Sequence, residues 1–302
     1  MKDGLLLIDK ETHCTSHDVV QQARRILKQK KIGHCGTLDP DATGLLLLTL
    51  GKATRLTRFL IRAPKVYEGL MRFGISTDTY DASGKVTAEA STAGIDQESI
   101  AAGMAQFVGT HPQSPPPYSA KKVGGVRYYE LARRGEEVPE TSKDVTVYEF
   151  SPLGPLETDR QAFRLGCSSG TYARSLAHDL GRKLGCGAHL AALRRTQIGA
   201  FKVADALTLG GLSQALESET PVGAAWVSFD EVLLPFAEVA ADAQQENRIV
   251  NGQTVLMRDF HAEEGDWVKV VNRRREFIAV GTVVERIGSG GVGVIQPKVV
   301  FK

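Results

Sequence analysis

The chain has 302 residues, 42% hydrophobic and 24% charged, with a formal net charge of +2. That apolar share excludes a disordered chain, and the length suits one large domain with a smaller one. The near-neutral balance excludes a uniformly basic nucleic-acid binder, so any basic surface has to be local.

In chain order, "GLLLID" predicts a buried strand. "TSHDVVQQARRILKQ" predicts a helix capped by Thr15 or Ser16, with Val19, Val20, Ala23, Ile26 and Leu27 on one face. "GLLLLTLG" suits an interior strand, "KATRLTRFLI" returns to helical spacing, and "KVYEGLMRFG" reads as a strand. "DTYDASGKV" carries hairpin chemistry around Ser83-Gly84, and "DQESIAAGMAQFVG" a capped helix ending at Gly109. "PQSPPPYSAKKVGG" is a long loop of the kind that is often functional, followed by a short helix, "RYYELARRG". "DVTVYEF" and "RQAFRLGCSSG" are strands, and "TYARSLAHDLGRKLG" a helix opened by Thr171. A boundary is expected near "FDEVLLPF", dividing a domain over residues 1–235 from a small β-rich module over 236–302, with strands in "DWVKVV", "EFIAVGTVVERI" and "VGVIQPKVVF". Irregular alternation with hairpin signals predicts an α+β fold with a mixed or antiparallel sheet.

Four cysteines, Cys14, Cys35, Cys167 and Cys186, form no Cys-x-x-Cys pair and read as cytosolic thiols. "MKDGLLLIDK" lacks the apolar run of a signal peptide, and no stretch is long enough to span a bilayer. The expectation is a cytoplasmic protein without membrane association.

Several motifs fail on their chemistry. Six residues separate Gly44 from Gly51, and Ala53 follows Lys52, so "GLLLLTLGKAT" is not a phosphate loop. Cys14, His17, His34 and Cys35 lack the second ligand pair of a structural zinc site. "DPDAT" fits the Asp-x-Asp-x-Thr of aspartyl-phosphate enzymes, but the apolar strand follows it where that chemistry needs one before. The run "RRILKQKK" places Arg24, Arg25, Lys28, Lys30 and Lys31 just ahead of Asp39, a cationic approach suited to a polyanion. Arg174, one turn inside its helix, can hold both oxygens of a buried carboxylate such as Asp39.

Together "KIGHCGTLDPDATGLLLLTLGKATR", "KVYEGLMRFGISTDTYDASG", "PPPYSAKKVGGVRYYELARRG" and "CSSGTYARSLAHDLGRKLGCGAHLAALRRTQIGAF" resemble the bacterial TruB-type tRNA pseudouridine synthases, in family order over about the first 200 residues. The resemblance implies a pseudouridine synthase fold, with a mixed, largely antiparallel central sheet flanked by helices and a C-terminal module of PUA type. It implies isomerisation of uridine 55 in the tRNA T-stem-loop, by a monomer, with no cofactor and no metal. Asp39 matches the catalytic aspartate, Arg174 its counter-charge, and Tyr67 the tyrosine that stacks on the base and is a candidate for proton removal. Tyr172 and Leu193 match pocket positions, and His34 a histidine that fills space in the disturbed RNA loop. Lys10, Lys31 and Lys121 complete the implied substrate-binding set.

Two departures stand out. The family's Lys-Pro-x-Gly-x-Thr-Ser reads "KETHCTS" here, so His13 occupies a glycine position, although Lys10 and Ser16 are retained. Ser169 stands where many relatives carry lysine. The alternatives are a tRNA-binding or folding protein with minor catalysis, and a guide-RNA-dependent relative, whose long extensions this chain lacks.

Overall fold

The computed structural model describes residues 2–119, 122–123, 126–128, 141–288 and 291–301. Its centre is two strands without a polar face, β1 (Gly4–Lys10) and β3 (Thr43–Leu50), paired antiparallel. They read as unbroken leucine runs because both faces are covered. Leu6, Ile8, Leu46 and Leu48 pack under helix α1 (Ser16–Ile26) through Val19, Val20 and Ala23. Leu5, Leu7, Leu45 and Leu47 pack on the opposite face with Leu56, Phe59 and Leu60. Thr15 is the N-cap of α1, in a capping box with Asp18.

Around this pair the sheet continues with β2 (Ile32–His34), β4 (Lys65–Phe73), β7 (Gly109–Gln113), β10 (Lys143–Glu157), β11 (Arg160–Cys167), β12 (Ala188–Ile198), β13 (Phe201–Lys202) and β14 (Trp226–Ser228). The path runs β14-β1-β3-β12-β4-β11-β10-β7, with β2 on β3 and β13 on β12. All its pairings are antiparallel except β12 with β3, so the expected mixed, largely antiparallel sheet is present. Two small hairpins, β5 (Ile75–Thr77) with β6 (Val86–Glu89) and β8 (Lys122–Val123) with β9 (Val126–Arg127), lie outside it. Helices α3 (Gln97–Ala105) and α4 (Ala173–Lys183) bury Ile100, Met104, Leu176 and Leu180 against Met71, Phe163 and Leu165.

Three local expectations change. "KATRLTRFLI" forms a 3-10 segment over Gly51–Leu56 and then a single-turn helix, α2 (Thr57–Leu60). α3 stops at Ala105, and Gly109, at φ 114°, opens β7 instead of closing the helix. α4 begins after an N-cap at Tyr172, while Thr171 turns its hydroxyl back onto the Ser168 carbonyl. Of the loop expected over residues 112–125, residues 112–119 and 122–123 are described, the latter pair as β8; of the helix expected over 127–135, only residues 127 and 128 are described, and Arg127 belongs to β9.

Strand β12 links the halves of the sheet. It runs antiparallel to β4 and meets β3 in parallel, at Arg194↔Thr43 and Arg195↔Gly44. Gly44 lies at φ 100°, and a Cβ there would sit 2.3 Å from the Arg195 carbonyl oxygen. Only glycine allows this approach.

After α5 (Leu209–Glu217) come β15 (Ala237–Ala240), α6 (Ala243–Val250), β16 (Val255–Met257), β17 (Trp267–Val271), β18 (Phe277–Ile287) and β19 (Val292–Val300). These strands form a second sheet in the order β15-β17-β18-β19-β16. Its Phe277, Val280, Val299 and Phe301 join the cluster that covers Leu5, Leu7, Leu45 and Leu47. Arg58 stacks over Phe59 and Trp267, and Arg55 over Phe301.

Candidate active site

The segment between β2 and β3 carries Asp39. It lacks regular backbone pairing, so side chains from distant elements hold it. Arg195, 1% exposed, donates from Nε to the Leu45 carbonyl at 2.7 Å and from Nη2 to the Gly36 carbonyl at 3.0 Å. The Leu38 amide donates to Ser16 Oγ at 2.8 Å. Lys10 Nζ donates to the carbonyls of Glu11, Cys14 and Pro40 at 2.8, 2.7 and 2.9 Å. Lys10 is 1% exposed and its three N–H groups are engaged, so it cannot also meet a phosphate. Its expected place among the substrate contacts is corrected to a brace of the Asp39 loop.

His13 lies at φ 60°, the left-handed conformation that the glycine position implied, with Nδ1 3.2 Å from Asp41 Oδ1 at the exposed surface. His13→Gly should remove the backbone strain while loosening the unfolded chain, and exposed ion pairs contribute little. A urea melt is expected to move by less than about 1 kcal/mol, with activity unchanged. A larger loss would show that the Asp41 contact holds the loop.

Arg174 enters from the first turn of α4. Its Nη2 donates to Asp39 Oδ1 at 3.2 Å, and its Nε lies 3.0 Å from Oδ2. Nε–H is not aimed at that oxygen, so the second contact is one of charge proximity. Nη1 donates to Asp81 Oδ2 at 3.1 Å and to the Thr79 carbonyl at 3.2 Å. One guanidinium thus joins two carboxylates that are 42 residues apart in sequence, from the loop before β3 and the turn after β5. The Asp81 turn is fixed in its own right, since Asp81 Oδ1 accepts from Thr79 Oγ1 and Ser83 Oγ, and Tyr80 stacks on His178 of α4 with centroids 3.8 Å apart.

Surrounding walls push the Asp39 carboxyl above its ordinary range, Arg174 pulls it down, and Asp81 and Asp41 push it up again. Its side chain still keeps 46% of its surface, because it stands at the mouth of the cavity with walls crowded behind it. Water reaches the carboxylate and screens these opposing pushes.

The cavity measures about 550 Å³. Asp39, Arg174, Tyr67, Tyr172 and Leu193 all line it, so five of the expected site residues, from four separate stretches, converge. Tyr67 lies on β4 beside Arg195 of β12, and burial raises its phenol against the pull of that guanidinium. Tyr172 exchanges backbone hydrogen bonds with the Gln113 side chain, at 2.8 and 3.1 Å, which fixes the start of α4. Ser169 is also in the wall, and Lys143 of β10 lines the cavity near it, placing a cation beside the missing lysine.

His34 does not line the cavity. It sits on β2 opposite Leu48, half-buried, with Nδ1 buried and unpaired, and burial lowers its pKa. Lys31 is exposed just ahead of β2. Lys121 lies outside the described residues. Among the described residues no three His, Cys, Asp or Glu side chains gather to hold a metal ion, and no helix is long and apolar enough to cross a membrane. The residues not singled out in advance are Asp81, Gln113 and Arg195.

The fold is that of the pseudouridine synthases. The solved structure described as "Crystal Structure of a Cbf5-Nop10-Gar1 Complex" superposes with a TM-score of 0.77 at 28% identity, covering 99% of this chain and 85% of that one. Another, "Structure of H/ACA RNP bound to a substrate RNA containing 2'-deoxyuridine", gives 0.74 at 25% identity, with 99% and 85% covered. The family described as "TruB family pseudouridylate synthase (N terminal domain)" matches residues 24–173, and "tRNA pseudouridylate synthase B C-terminal domain" matches residues 174–240. A protein of Solibacter usitatus named tRNA pseudouridine synthase B is 44% identical, over 93% of this chain and 96% of its own length. One of the same name from Opitutus terrae is 50% identical over 70% of this chain and 87% of its own. The chain belongs to the TruB family of pseudouridylate synthases.

Proposed function

We propose that the chain isomerises uridine 55 of the tRNA T-loop to pseudouridine, with Asp39 as the catalytic carboxylate. The observation that carries this is the Arg174 guanidinium set against Asp39, with one hydrogen bond and a second close charge contact, at the mouth of a cavity of about 550 Å³, a volume suited to one extruded nucleoside. A stacked uridine is out of reach, so the base must flip into the cavity, at a cost of a few kcal/mol. Tyr67, Tyr172 and Leu193 offer apolar and aromatic walls to it. Arg174 holds Asp39 in one orientation, so the carboxylate meets the sugar as positive charge develops at C1′. Burial keeps the Tyr67 phenol protonated, which favours stacking over proton removal as its role.

Recognition rests on loop shape and phosphates. Lys31 and the other exposed cations before β2, with the sheet of residues 237–300 as a PUA-type RNA-binding module, are the proposed contacts. The relatives named for tRNA are 44% and 50% identical, against 28% for the Cbf5 complex, which favours a stand-alone enzyme over a guided one.

The test is to incubate the purified protein with an unmodified tRNA transcript, without guide RNA or added metal, and map pseudouridine. Conversion of one T-loop uridine is the expected result. Tight binding without conversion would favour the folding-protein alternative, and no binding would refute the reading.

A further inference from the structure

The cavity holds a second set of charges that Asp39 does not use. Lys65, at the start of β4, and Arg195, on β12, both line it and are 5% and 1% exposed. They converge beneath Gly36, since a Cβ there would lie 3.6 Å from Arg195 Nη1 and 3.9 Å from Lys65 Cε. Lys65 Nζ donates to the Ile61 carbonyl. The titratable groups facing it are Arg195 on β12, Cys167 on β11 and Cys35 in the loop after β2. Burial pushes the two thiols up, to about 12 for Cys35 and about 11 for Cys167, so both are neutral. Among the described residues neither cation has a carboxylate in salt-bridge reach. The charges bearing on Asp39 are instead Arg174, Asp81, Asp41 and Lys10. Tyr67 feels both Arg195 and Asp39. The cavity therefore has an acidic end and a basic end, with Tyr67 between them.

Two buried like charges without a counter-ion are costly, and such an arrangement suits a site that receives an anion. Isomerisation generates one. When the C1′–N1 bond breaks heterolytically, the electron pair leaves with the base as uracilate, its charge shared by N1, O2 and O4. The sugar cation is met by Asp39. C5 then bonds to C1′ with a ring electron pair, C5 loses its proton and N1 gains one, so composition is unchanged.

We propose that Lys65, with Arg195, stabilises the detached uracilate by charge and N–H donation, keeping its own protons throughout. The inference rests on the function proposed above and deepens it. Burial and the Arg195 charge lower the Lys65 amine to about 8, so the stabilising form is lost as pH rises through that value.

The experiment uses the full chain and a T-arm RNA, with wild-type conversion established first, since its failure would sink the proposed function rather than this inference. Single-turnover rate, RNA affinity with its salt dependence, and kcat/KM against pH are then compared for wild type, Lys65→Gln and Lys65→Arg. Expected are a loss of about 10²-fold in single-turnover rate for Lys65→Gln, RNA affinity within twofold, and an alkaline limb that moves to higher pH in Lys65→Arg. A Lys65→Gln rate within twofold of wild type would overturn the proposal. So would a loss seen in affinity and salt slope, which marks a phosphate contact. An alkaline limb identical in wild type and Lys65→Arg would overturn it too, and that reading holds even if Lys65→Gln does not fold.

Discussion

Asp39→Asn should remove at least about 10³-fold of pseudouridine formation while leaving RNA affinity unchanged. The amide has the carboxylate's shape and can still accept from Arg174 Nη2, but it cannot oppose positive charge at C1′. The wild-type pH profile should agree. The folded carboxyl is pushed above its ordinary range, so activity falls with its protonation at a higher pH than a free aspartate would give. Stability should move the other way. A group that binds its proton more tightly when folded destabilises the fold as pH rises past its unfolded value and through its folded one. Asparagine escapes that penalty. At neutral pH the variant should therefore melt no lower than wild type, and a lower melting temperature would show that Arg174 outweighs the burial of Asp39. Full activity in Asp39→Asn would remove this residue from the chemistry.

Arg174→Lys should lose on both counts. Arg174 is 6% exposed and serves Asp39, Asp81, and the carbonyls of Thr79 and Tyr118 from one plane. An ammonium keeps the charge but has no fork, so it cannot hold the two carboxylates in register. A rate loss of about 10²-fold is expected from the misplaced carboxylate. Stability should fall by about 1–3 kcal/mol, below the loss for a fully buried pair, because Asp39 is half in water. Single-turnover kinetics and urea melts measure the two effects. Unchanged turnover would contradict the orienting role.

The central strands were legible because both faces of β1 and β3 are buried, which writes runs of leucine and isoleucine over residues 5–8 and 45–48. The capped helices were legible from Thr15 and Asp96. Strand β12 was not. "AHLAALRRTQI" has the alanine, leucine and arginine of a helix, and becomes a strand only because β3 and β4 flank it. The same tertiary override hid Lys10 and Arg195. Both look like solvated cations in sequence, and both are buried by carbonyls of the loop they hold. Asp81 was masked by the turn chemistry of "DASG", which explains its presence without a site. The pairing of Asp39 with Arg174 spans 135 residues, and no local pattern encodes it. The chemistry of a guanidinium offered it as one pairing among many, and likeness to a family singled it out.

Phe277 and Phe301 belong to the tail sheet, yet they complete the cover over Leu5 and Leu47 at the heart of the main one. The tail is therefore no interchangeable cassette. Cutting the chain ahead of β15 would lay bare the greasy underside of the strand that follows the Asp39 loop, and the injury would travel straight to the carboxylate's footing. Swapping this module between relatives should succeed only when its aromatic plug is exchanged together with the socket that receives it.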